Sequence, residues 1–220
     1  KEGQSIYASR TGNQCAEGAA FAARVYDTMI STVGEPDRFW SLVADHVAFL
    51  EQNAAELGEV VRTVEFRSRL SQVVHDLWAA AVRAARTPEP ETTRQFVAEV
   101  LEAGHLVVEQ PLKFHLGIGC AVKKRKGGFP ATQACDVSEL IKIAVQQGWP
   151  IASAFGTADV RNAFAHRDFV VEGETVTLSP GRRGTAAVAL SVAELQDSVL
   201  QLVETCAAME LALVAVAGAL

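Results

Sequence analysis

Apolar residues recur three and four apart along most of this chain, the interval that puts them on one face of an α-helix. Residues 1–14 are polar and read as a loose lead-in. From Cys15 to about Thr32, Phe21, Val25 and Met29 form a helical stripe. Gly34-Glu35-Pro36-Asp37 is expected to end that helix and open the next, because Pro and Asp suit a first helical turn. Phe39 to Leu57 then carries Phe39, Leu42, Val43, His46, Val47, Leu50, Ala54 and Leu57 on one face. His46 on that stripe reads as a hydrogen-bonded core residue, not a ligand. Gly58 weakens the pattern, and Val60 to Arg86 makes another long helix with Val64, Leu70, Val73, Val74, Leu77 and Trp78 inside. Its arginines, Arg62, Arg67, Arg69, Arg83 and Arg86, read as a solvated face.

Thr87-Pro88-Glu89-Pro90-Glu91 is the strongest punctuation and suggests a boundary. It separates an N-terminal helical segment, 1–87, from a core domain, 88–220, unless the two make one continuous unit. A helix capped by Thr92 or Thr93 is expected to run to Gln110, where Pro111 stops it. Residues 111–135 lose the period and collect Gly117, Gly119, Gly127, Gly128 and Pro130. Val137 to Gly148 is helical again, closed by Trp149-Pro150, and Ser153 to His166 makes a further helix. Phe169 to Leu178 then switches to alternation with a turn at Gly173, the pattern of a β-hairpin. Thr185 to Leu190 adds a possible strand. Ser191-x-x-Glu194 is a capping box that starts the last helix, expected to reach about Ala217. Its final ten residues are too few to span a bilayer. The pattern as a whole predicts an all-α helical bundle with a small β-hairpin inserted before the last helix.

Composition narrows the classes. Hydrophobic residues make up 49% and charged residues 21% of 220 residues, which fits a globular chain with a sizeable core. The net charge of −6 argues against a general nucleic-acid coat, so any RNA contact has to be local. Cys15, Cys120, Cys135 and Cys206 show no CxxC spacing and read as reduced thiols of a cytoplasmic protein. His115, Cys120 and Cys135 offer three zinc ligands without an evident fourth, so neither metal nor cofactor is expected. No signal-peptide pattern opens the chain, and a start at Lys1 instead of Met fits either a trimmed chain or one piece of a longer protein.

The chemistry concentrates in Asp159-Val160-Arg161-Asn162-Ala163-Phe164-Ala165-His166-Arg167-Asp168-Phe169. Asn162 and His166 lie four apart and share a helix face. Arg161 points elsewhere on an ideal helix, but fraying near His166, or a second copy across a two-fold axis, would gather arginine and histidine in one cleft. A histidine titrates near working pH and can serve a ribose 2′-OH as general base or a leaving oxygen as general acid. An arginine fork can hold the phosphate and offset charge in the transition state. Such a pair can cut a phosphodiester without a metal. The other Arg-to-His match, Arg69 to His75, is six apart on a continuous helix and lacks the asparagine. Lys123-Lys124-Arg125-Lys126, the one dense basic run, sits between glycines and suits a polyanion.

Arg161-Asn162-Ala163-Phe164-Ala165-His166 resembles the Arg-x(4–6)-His signature of the HEPN superfamily, with its frequent Arg-Asn start. The likeness extends over roughly residues 90–220. It implies an all-α domain and a metal-independent endoribonuclease of a bacterial toxin, defence or RNA-processing system, working through a dimeric composite site. It further implies RNA as substrate, a homodimer, and an antitoxin or regulatory domain as partner; no membrane partner is expected, given the short apolar tail. On this expectation Arg161, Asn162 and His166 are catalytic, with Lys123, Lys124, Arg125, Lys126 and Arg167 on the substrate. The tyrosine that some relatives carry two residues after the histidine is Asp168 here, which puts that form of regulation in doubt. The competing expectation is a non-catalytic helical interaction or dimerisation module that retains the motif.

Overall fold

The computed structural model describes residues 34–87, 92–123, 127–147, 169–179 and 187–217. These are mostly helical, with one small antiparallel sheet. The catalytic and most of the substrate-binding residues expected above lie outside them, as does the expected helix from Cys15.

Helix α1, Pro36–Glu51, starts at the predicted proline, with Asp37 in the first turn. It does not run on to Leu57. The chain turns at Gln52-Asn53, where Asn53 Nδ2 donates to Phe49 O at 2.6 Å. Gly58, expected to weaken or break the pattern, lies inside α2, Ala54–Val61. The break comes at Thr63, whose Oγ1 accepts from Phe66 N at 3.2 Å and so caps α3, Val64–Ala84. The arginines of α3 behave as a solvated, partnered face. Arg86 meets Glu99 at 2.7 Å and Arg83 meets Glu102 at 3.8 Å, and Arg69 donates to Gln133.

Pro111 does not stop its helix. Helix α4, Thr93–Val107, passes into a five-residue π turn, Val108–Leu112, and on into α5, Lys113–Val122. Proline has no N–H, and its ring collides with the carbonyl four residues back. A turn wound i to i−5 relieves that collision and lets the rod continue. Among the glycines that blurred the period, Gly127 and Gly128 take positive φ, 78° and 101°, whereas Gly117 is a packing position. At Gly117 in α5 a Cβ would collide with Gln133 Nε2 and sit 3.0 Å from Thr132 Oγ1. Both belong to the short helix α6, Phe129–Gln133, and Thr132 Oγ1 donates to Gly117 O at 3.0 Å. Helix α7, Val137–Gln146, follows and packs on α5.

The predicted hairpin is present. Strand β1, Phe169–Glu172, pairs antiparallel with β2, Thr175–Leu178, through a two-residue turn in which Gly173 takes φ 62°. That conformation suits a Gly-first hairpin turn. Strand β3, Val188–Ser191, completes the order β1-β2-β3. Val176 and Leu178 of β2 are buried. The capping box is present too: Glu194 N donates to Ser191 Oγ at 3.1 Å, and Ser191 N donates to Glu194 Oε2 at 2.7 Å. Those bonds hold the exposed Glu194 carboxyl below its ordinary pKa.

Helix α8, Val192–Ala217, is the rod on which α1, α3, α4 and the sheet pack. By length and composition it could cross a bilayer, but 72% of its apolar window is buried inside the fold. Two clusters make the core. The larger joins Phe39, Leu77, Val100, Leu140, Val176 and Leu202, so helices on both sides of residues 88–91 share it. The smaller centres on Phe66, Phe114 and Phe129, whose rings meet at 5.5–6.0 Å.

Candidate functional site

Helix α8 carries two acids in its apolar run, and both are enclosed. Burying a carboxylate is costly unless a partner receives it. Glu204 Oε1 accepts from Gly34 N at 2.6 Å, which ties the approach to α1 onto the closing helix. Glu210 Oε2 lies 3.2 Å from His115 Nε2, and each side chain is 1% exposed. The π turn sets this meeting, because every residue of α5 after Lys113 is buried and His115 faces α8. The approach is off the ring N–H line, so it is an electrostatic contact and not an aligned hydrogen bond.

His46 of α1 joins them. It stacks on Phe49 with centroids 6.0 Å apart and is buried, as its stripe position predicted. Its Nδ1 has no hydrogen-bond partner. Burial first, and the charge of His115 second, push its pKa down to about 3. Burial likewise pushes the Cys206 thiol up, and the neighbouring Glu210 charge adds to this. The group is therefore ionisable, crowded and closed. Nothing in it can reach a substrate, so its role lies in the core.

The zinc set weighed from the sequence does not form. His115 turns to Glu210, and among the described residues no group of three His, Cys, Asp or Glu could hold a metal ion. Cys120, Cys135 and Cys206 are thiols, as expected. Arg69 and His75 are not brought together: Arg69 goes to Gln133, and His75 packs 6.1 Å from Trp78.

Of the residues expected to meet substrate, Arg161, Asn162, His166, Arg167, Lys124, Arg125 and Lys126 lie outside the described residues. Lys123 ends α5, with its ammonium 5.3 Å from the centre of the Phe49 ring. That is a cation–π contact of an exposed lysine at the bundle surface. What the structure does place next to the motif is its exit. Phe169, three residues after His166, opens β1 and lines an open cleft of about 470 Å3 with Thr92, Arg94, Gln95 and Ala98 of the α4 start. Arg94 went unremarked in the sequence because a single arginine at a helix start carries no pattern. Comparison with protein families, with curated proteins and with solved structures found no match.

Proposed function

We propose that this chain is a metal-independent RNA endonuclease of HEPN type, built as a dimer with a composite site. The observation that carries the reading is the order of parts. Arg161-Asn162-Ala163-Phe164-Ala165-His166 runs within three residues into a hairpin that packs on a long closing helix, beside an open cleft. In this reading His166 exchanges a proton with the ribose 2′-OH or the leaving 5′ oxygen. Arg161 holds the phosphate and offsets the charge that grows on it, and Asn162 orients the imidazole. The 2′ oxygen attacks phosphorus, the 5′ oxygen leaves, and a 2′,3′-cyclic phosphate results. Lys124, Arg125, Lys126 and Arg167 add local positive charge to an acidic protein, and a regulatory domain or antitoxin would restrain it.

The test is cleavage of mixed RNA in EDTA by wild type and by His166→Ala, with the product ends analysed. Cyclic phosphate ends that vanish in the variant are the expected result. Equal cleavage by both proteins, or hydrolysis to linear 3′-hydroxyl ends, would refute the mechanism.

A further inference from the structure

The cleft at the start of α4 has chemistry of its own. Phe169 is half-buried and packs against the main core, so its ring is held while part of it faces the opening. Arg94 is exposed on the same wall. The acid best placed on α4 to neutralise it, Glu99, is already engaged by Arg86 at 2.7 Å and by Gln95 Nε2 at 3.1 Å. Glu102, a turn further on, faces Arg83. No acid lies in the first turn of α4, a 15-residue helix whose N-terminal end favours anions. A volume of about 470 Å3 falls in the ~300–1,000 Å3 range of small-ligand sites.

A fixed aromatic face next to a guanidinium that no acid engages among the described residues fits one nucleotide of a single strand: a base stacks on the ring and its phosphate pairs with the cation. An acidic peptide would use the arginine and leave the ring idle. We infer that Arg94 and Phe169 form a nucleotide-binding subsite for single-stranded RNA. Phe169 is the stacking platform and Arg94 the phosphate contact. This rests on the RNA reading above and adds to it residues that hold the strand without reacting.

The experiment is fluorescence anisotropy of a labelled single-stranded oligoribonucleotide, with every protein carrying His166→Ala so that the probe stays intact. Adding Phe169→Leu is expected to weaken binding about ten-fold, within the range for one base–aromatic stack, and Phe169→Tyr to restore it. Adding Arg94→Gln is expected to weaken binding and flatten the slope of log affinity against log salt by about 0.7, one phosphate contact on a single strand. Unchanged affinity in both variants overturns the inference, whatever the wild type does to RNA. So does an oligoaspartate that competes as well as RNA while Phe169→Leu binds normally. Should the wild type bind through these residues and cut nothing, the nuclease reading falls and the subsite stands.

Discussion

The enclosed imidazole of His46 makes the fold sensitive to acid by an amount that can be worked out. Unfolded, the ring takes a proton below its ordinary pKa of 6.5; folded, it holds out until about 3. Between those values the unfolded chain binds one more proton than the folded one, so stability rises with pH. The slope is about 1.4 kcal/mol per pH unit. The contribution is intact above pH 6.5 and wanes as pH falls. At pH 5 the loss from this ring is about 2 kcal/mol, and near pH 3 it approaches 5 kcal/mol. Against a typical domain stability of ~5–15 kcal/mol that is a large share. The assay is urea unfolding of wild type and His46→Phe at pH 7.5, 6.0 and 5.0. Phenylalanine keeps the stack on Phe49 and cannot titrate. Surface carboxylates titrate in both proteins, so the difference between the two curves isolates the ring. It should shift by about 2 kcal/mol in favour of the variant between pH 7.5 and 5.0. Parallel curves would refute the claim that His46 stays uncharged in the folded core.

Two other sites give stability predictions that thermal or urea unfolding can check. Glu210→Ala leaves His115 facing a void and should cost about 3–5 kcal/mol, whereas His115→Leu with Glu210→Met should return to within ~2 kcal/mol of wild type or exceed it; a double variant as weak as the single one would sink that account. Gly117→Ala gains about 1 kcal/mol of helix propensity, but its Cβ evicts the Gln133 amide that accepts from Arg69 and donates to Lys113 O at 3.5 Å. A net loss of about 1–2 kcal/mol is expected, and a more stable variant would show that Gln133 moves aside freely.

Much of this architecture is written locally and could be read from the chain. The hairpin announces itself by alternation and Gly173, the closing helix by Ser191 and Glu194, and α7 by a clean stripe, because each signal lies within a few residues of its effect. Thr63 outweighed Gly58 as the break, since a hydroxyl that caps a first turn decides where a helix starts, while one glycine costs a helix only about 1 kcal/mol. Pro111 and the glycines after it misled for a different reason. Gly117 takes its meaning from α6, which packs against it, and Pro111 from a π turn that a period of three and four does not foretell. Glu204 and Glu210 were visible as interruptions of an apolar helix, yet their partners, Gly34 and His115, are set by packing alone. The motif around Arg161 was legible as chemistry, while Arg94 needed the fold to bring it beside Phe169.

The π turn at Val108–Leu112 acts as a counted spacer. It holds one residue more than an α turn, so α5 is rotated by about 100° from where an unbroken helix would carry it. That rotation decides which side of α5 looks at α8. Delete one residue there and the rod could close into an ordinary helix, with His115 swung off Glu210 and Gly117 off the ledge of α6. A surface loop tolerates a change of length where nothing downstream is phased to it. The rod has no such freedom: its chain length between Val107 and Lys113 is part of the code that aligns two layers of the core.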